Sequence, residues 1–210
     1  MTFQLSASNI KTGLDAVAES DADVRRALDA VGYPDERRNV AGFPTFARII
    51  AGQQLSVKAA ATIAGRLQDL VGEPMVPENI LARSFDDLRG VGLSGPKVNY
   101  LLGLAEAVHE KRFLPDDLPN MSDEDALKSI TQLKGFGRWS AEMYLMFSLG
   151  RPDVWPADDL AVREAVRKLK NLDERPGTKE MDLIAEPWRP HRSSVALFLW
   201  HFYKNVPLTY

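Results

Sequence analysis

The sequence predicts an all-α protein. Apolar residues recur three and four positions apart through most of the 210 residues, no stretch alternates with period two, and prolines gather where the helical runs stop or start. With 45% apolar residues the chain can bury a substantial core, enough for one domain or two small ones.

Leu14, Val17, Ala18, Val24, Leu28 and Val31 share one helical face, and the run closes at Gly32-Tyr33-Pro34, which predicts a single first helix. The spacing returns with Phe46, Ile49 and Ile50, breaks at the polar pair Gln53-Gln54, and resumes through Val57, Ala60, Ile63, Ala64, Leu67 and Leu70 before Gly72. Val98, Leu101, Leu102, Ala105 and Val108 make a helix after Pro96. Ser122, with Asp125 three residues on, resembles a capping box for a helix through Leu133. Two further helices begin at Arg138 and Asp159. The last begins near Ser193, with Val195, Leu199 and Phe202 on one face.

Composition excludes several classes of chemistry. Without cysteine there are no disulfides, thiolate zinc sites or iron-sulfur clusters, and a cytoplasmic setting is expected. Residues Met1 to Asn9 carry neither a basic n-region nor a long apolar run, and no stretch approaches the roughly 20 apolar residues that span a bilayer, so neither a secretory leader nor membrane insertion is expected. A net charge of −3 and a pI near 5.7 give no overall attraction for nucleic acid. Any such surface must be local.

Two motifs carry chemistry. Leu133-Lys-Gly-Phe-Gly-Arg-Trp-Ser140 places a glycine-bracketed turn between two helices. Gly135 and Gly137 let the backbone turn tightly, so main-chain N–H groups at the start of the next helix can face one anion such as a phosphate, with Lys134 and Arg138 flanking. The same glycines also suit a plain helix cap and a short αα connection. Asp158-Asp159 then precedes an amphipathic run with Val162, Val166 and Leu169 on one face. Of these acids Asp158 fits the N-cap, which leaves Asp159 as the acid available to react. Arg163, Arg167 and Lys170 share a helical face, as a solvated basic stripe or a phosphate contact.

Together with Ile50-Ala-Gly-Gln-Gln-Leu-Ser-Val-Lys-Ala-Ala60, Gly92-Leu-Ser-Gly-Pro-Lys-Val-Asn-Tyr-Leu101 and Trp188-Arg-Pro-His-Arg-Ser-Ser-Val-Ala-Leu-Phe-Leu-Trp200, these segments occur in an order that resembles the helix-hairpin-helix DNA glycosylase superfamily. Within it the chain is similar to the alkylated-purine branch, 3-methyladenine DNA glycosylase II. The resemblance implies a two-lobed all-α fold with the active site in the cleft between lobes. Residues 41–151 would form the central helical barrel with the hairpin, and residues 1–40 with 152–210 the lobe carrying the catalytic aspartate.

By the same resemblance the partner is double-stranded DNA containing damaged bases, bound by a monomer, nucleoid-associated if the source is bacterial. Asp159 is the essential carboxylate. Trp139 stands where bifunctional members place a Schiff-base lysine, implying a monofunctional enzyme. The base pocket would draw on Trp139, Met143, Tyr144, Trp188 and His191, the last two being alternatives for an opposing aromatic wall. The wedge that fills the gap left by a flipped base would be Gln54 or Leu55, beside Gln53. Lys134, Gly135, Gly137, Arg138 and Ser140 would hold the DNA backbone. No cofactor is required, although the family's hairpin holds Na⁺ or K⁺ through carbonyls that fall on Thr131, Leu133 and Phe136. The competing expectations are a non-catalytic module that binds distorted DNA through the same hairpin, and a glycosylase for another base lesion.

Overall fold

The computed structural model describes residues 4–206, apart from the Val57 side chain. Among them are twelve α-helices, two 3₁₀ turns and no strand. The helices are α1 (Ala7–Ser20), α2 (Ala22–Val31), α3 (Phe43–Gly52), α4 (Val57–Val71), α5 (Pro77–Leu81), α6 (Phe85–Gly90), α7 (Gly95–His109), α8 (Asp123–Thr131), α9 (Arg138–Phe147), α10 (Leu160–Leu169), α11 (Thr178–Ala185) and α12 (Arg192–Asn205).

The single first helix is in fact two. Asp21 ends α1 by donating its N–H to the Val17 carbonyl, and starts α2 by accepting the Asp23 and Val24 N–H groups on its own carboxylate. One side chain thus replaces the helical ladder with a corner while the apolar spacing continues past it. Elsewhere α5, α6 and α11 escape the periodicity argument, because five to eight residues hold too few turns to display a stripe. Ser122 does cap α8, accepting from the Asp125 N–H.

The chain forms two compact units, residues 39–141 and residues 1–38 with 142–210. The resemblance sets the second crossing at 151/152; in the structure it lies between Ala141 and Glu142, inside α9.

In the 39–141 unit, α3 packs on α4 and α7, and α5 and α6 pack on α7. Phe46 of α3 is fully buried and meets Phe113 and Phe136 edge-on at ring separations of 5.2 and 5.4 Å. In the other unit, α12 packs on α10, α1 and α2. Val162, Ala165, Val166 and Leu169 bury one face of α10, and α12 is buried continuously from Ser193 to Leu199.

The basic residues of α10 are held within the protein. Arg163 donates to the Pro176 carbonyl at 2.8 Å, Arg167 pairs with Glu164 at 2.8 Å, and Lys170 reaches Asp21 at 2.7 Å and Asp23 at 3.0 Å. They form neither a solvated stripe nor a ready phosphate contact.

Lys170 and the Trp188 indole N–H both donate to Asp21, the residue that turns α1 into α2. Burial opposes the ionised Asp21 carboxyl, but these hydrogen bonds and the Lys170 charge outweigh it and hold its pKa below the ordinary 3.8. Because folding depresses this pKa, the stabilisation is present above the unfolded value and lost as pH falls through the lower folded one. Lys170→Met is therefore expected to cost about 1.5–3 kcal/mol at pH 7. In urea unfolding measured across pH, its deficit should narrow below pH 3.8, where native Asp21 loses the same contribution.

Candidate functional site

The glycine turn is built on the core of the 39–141 unit. Phe136 is buried against Phe46, which fixes the turn's apex, and its N–H donates to the Leu133 carbonyl at 3.1 Å. Gly135 has φ +88°, and a Cβ there would lie 2.5 Å from Cδ2 of Tyr100, a residue of α7. Glycine is required at this position on both counts. Gly137 is different: its φ is not left-handed, and an added Cβ meets nothing within 4 Å.

The loop after α3 is tied to this turn. The Gln53 side-chain amide donates to the Gly135 carbonyl at 2.6 Å. Lys97, in the first turn of α7, donates to the Ala51 carbonyl at 3.0 Å and the Gln53 carbonyl at 2.7 Å. A cation is unfavourable at its own helix's N-terminus but favourable at the C-terminus of α3, which is where the ammonium lies. Burial lowers the pKa of Lys97. Immediately after these anchors Gln54 adopts φ +56°, a left-handed conformation uncommon outside glycine, and Gln54 and Leu55 are exposed.

In the other unit, Asp159 itself caps α10. Its Oδ1 accepts the N–H groups of Ala161 and Val162, both at 2.9 Å, and the indole N–H of Trp200 at 3.1 Å. Asp158 is not the cap expected from its position. It is exposed and accepts the Thr178 hydroxyl at 2.6 Å, which ties it to the start of α11. Trp200 packs on Phe147, ring centroids 5.9 Å apart, and the Arg37 guanidinium lies 4.4 Å above the Phe147 ring.

The loop entering this site is clamped by the first turn of α12. The Ser193 hydroxyl donates to the Arg151 carbonyl at 2.7 Å and accepts the Val154 N–H at 2.9 Å. Arg192 grips Asp153 bidentately, Nε to Oδ1 at 2.7 Å and Nη2 to Oδ2 at 2.9 Å.

A family model described as HhH-GPD superfamily base excision DNA repair protein matches residues 47–190, which include the turn, the Gln53 loop and Asp159. The chain belongs to the HhH-GPD superfamily. It is 37% identical over 166 residues to DNA-3-methyladenine glycosylase 1 of Schizosaccharomyces pombe, covering 77% of this chain and 72% of the relative. The structure of the S. pombe 3-methyladenine DNA glycosylase Mag1, in complex with abasic DNA, superposes with a TM-score of 0.81 at 31% identity, covering 90% of this chain and 95% of that one. A Bacillus halodurans DNA-3-methyladenine glycosidase gives 0.80 at 29% identity, covering 98% and 93%. Among the curated relatives it matches, the chain spans from 40% to 76% of their own length.

Measured against the HhH-GPD pattern, several expected positions change. Trp188 is 1% exposed, edge-on to Trp155 with its N–H on Asp21, so it is a core residue and no pocket wall. Tyr144 is also fully buried and offers no surface to a base. Met143 keeps 8% exposure, and Trp139 is 46% exposed in the first turn of α9. His191 is half-buried, with its ring against α1: a Cβ on Gly13 would lie 3.2 Å from its Nδ1. Ser140 is buried and offers no side-chain surface to a phosphate, whereas Lys134 and Arg138 are exposed. Gln53 leaves the wedge candidates, since its amide is committed to Gly135.

Three residues were missed from the sequence: Tyr100 under the turn, Lys97 behind the loop, and Trp200 at the carboxylate. Two had a signal. Lys97 puts a charge at the unfavourable end of its own helix, and Trp200 is a large aromatic off the Val195, Leu199, Phe202 face. Nothing local marks Tyr100.

Gly135→Ala is expected to cost about 2 kcal/mol or more, from left-handed strain plus overlap with Tyr100. The overlapping atoms include Cγ and Cβ, at the root of the side chain, so ring rotation gives no relief. Thermal unfolding of Gly135→Ala, Tyr100→Ala and the double variant separates the terms, because the double recovers the overlap with the ring while the left-handed strain remains.

Proposed function

We propose that this chain is a monofunctional DNA N-glycosylase that excises alkylated purines of the 3-methyladenine and 7-methylguanine type in base excision repair. The observation that carries the reading is the Asp159 carboxylate, pinned through one oxygen by three donors at a helix N-terminus.

The chemistry needs little else. A purine alkylated at N3 or N7 is already cationic, so the electrons of its glycosidic bond pass to the base, which leaves neutral and without protonation. Positive charge develops on the sugar, where an oriented carboxylate stabilises it. Water adds its oxygen to C1′, and its proton goes to Asp159. Trp139, in the place of the lysine nucleophile, leaves no amine for a Schiff base, so the product is an intact abasic strand. Its exposed, electron-rich ring also suits a cationic base through stacking.

The turn at Gly135 and Gly137 takes a DNA phosphate on main-chain N–H groups, assisted by Lys134 and Arg138. This is how a chain of net charge −3 holds a polyanion. Gln54 is the wedge: it is exposed, and its left-handed conformation follows directly on Gln53, which is anchored through its side chain and its carbonyl. The carbonyls of Thr131, Leu133 and Phe136 would hold Na⁺ or K⁺. Neutral oxygen donors suit such ions, and Leu133 spends one lone pair on the Phe136 N–H while keeping the other. The setting that goes with this reading is cytoplasmic, at the nucleoid if the source is bacterial.

Incubated with randomly methylated duplex, the pure protein is expected to release 3-methyladenine and 7-methylguanine, identified by chromatography, and borohydride should trap no covalent adduct. Asp159→Asn should bind the same duplex and release base only at a small residual rate. A wild-type protein that binds but frees no methylated base would instead make this a non-catalytic DNA-binding module, and release of an oxidised or deaminated base alone would reassign the substrate.

Gly137→Ala should melt with the wild type yet bind abasic-site duplex about tenfold more weakly, since its methyl intrudes only on what docks there. Titration by fluorescence anisotropy checks this.

A further inference from the structure

We infer that Trp200 is a positioning residue that aims the Asp159 carboxylate; this rests on the glycosylase reading above. A carboxylate held by N-cap bonds alone can still swing about its Cβ–Cγ bond within the tolerance of two main-chain donors on successive residues. The Trp200 N–H supplies a third donor to the same oxygen, Oδ1, from a different helix, at 3.1 Å. Two donors lie in the first turn of α10 and the third on α12, so they fix both the plane of the carboxylate and the direction of Oδ2.

The indole is itself fixed. It packs on Phe147 with the rings tilted by 41°, and Phe147 carries the Arg37 guanidinium 4.4 Å from its ring, so these contacts limit rotation of the tryptophan. Its helix is anchored to the same segment at a second point. Two turns earlier, Ser193 and Arg192 clamp Arg151, Asp153 and Val154. α12 therefore sets both the entry of the loop and the orientation of the acid at its end.

Trp200 is half-buried against Phe147, and its one polar atom is spent on the carboxylate rather than on solvent or the main chain. What its position achieves is a hydrogen bond to the reacting carboxylate.

The test removes the donor and keeps the ring. Trp200→Phe, and a protein carrying 3-(3-benzothienyl)alanine at position 200, where sulfur replaces N–H in a ring of nearly unchanged size, are assayed in single turnover on a duplex holding one 7-methylguanine. Both are expected to lose about 10- to 100-fold in excision rate, the usual cost of removing an orienting neighbour. Dissociation constants for abasic-site duplex and melting temperatures should stay at wild-type values. In an Asp159→Asn background, Trp200→Phe should remove nothing further from the residual rate. A wild-type rate in the benzothienyl protein would overturn the proposal. So would a loss of equal size in the Asp159→Asn background, or a loss that merely tracks a fall in melting temperature. If the wild-type protein released no base, the glycosylase reading itself would fail, a result separate from all of these.

Discussion

The start of α10 depends on a single carboxylate. Asp159 closes the first turn of that helix by accepting two main-chain N–H groups, and the same oxygen receives the Trp200 indole from α12. Capping by an acidic side chain contributes on the order of 1 kcal/mol to a helix, so the group proposed to react is also a structural element. This dual use governs how the site can be probed. Asparagine is as good an N-cap as aspartate, and preserves the helix start while deleting the charge; alanine would mix a folding defect into any loss of rate. The first turn of α10 and the Trp200 indole on α12 both orient the acid through N–H groups.

Under the proposed function the 39–141 unit has a different task, presenting an anion site from a chain whose net charge is negative. Its solution is again main-chain. Phe136 is driven into the core against Phe46, Gly135 lies on the Tyr100 ring, and the turn between them is carried as a rigid piece of the hydrophobic core. The Gln53 amide then links the turn to the loop bearing Gln54, and Lys97 braces that loop from behind. With the turn as phosphate anchor and Gln54 as wedge, the two form one rigid piece, so that seating a phosphate on the turn also sets the register of the wedge. A loop left to its own flexibility would have to be ordered on each encounter, at a cost in conformational entropy.

How much of this was legible in the sequence differs by element. Long amphipathic runs such as α4, α7 and α12 announce themselves by spacing, and the glycine turn by its flanking helices. The break at Asp21 was hidden because its cause is a side chain bonding back to its own backbone, which leaves apolar periodicity undisturbed. The Asp158 and Asp159 roles were interchanged at the level of capping for a related reason. Either acid can precede the helix, and the choice is decided by Thr178, twenty positions downstream, which takes Asp158. Trp188 is a pocket candidate only through the resemblance, whereas in space Asp21 accepts its N–H and lets the whole ring be buried. In each case the deciding partner is remote along the chain or lies in the backbone itself, which a local apolar pattern cannot encode.

These corrections alter what the pocket must accomplish. With Trp188 and Tyr144 committed to the core, Trp139 is the one large ring among the expected wall residues that keeps substantial exposure. An enclosing aromatic cage would bind normal and damaged purines alike through their shared faces, and discrimination would then require hydrogen bonds to specific edges. A carboxylate that stabilises charge on the sugar, the role proposed for Asp159, discriminates differently. Normal purines are neutral and depart slowly from the sugar, so a catalyst that supplies only charge stabilisation to the sugar accelerates them from a far lower starting rate than cationic bases. Selectivity of this kind resides in the leaving group more than in the pocket. On the proposed function, the hydrogen bonds that orient Asp159 then matter more to selectivity than an enclosing wall.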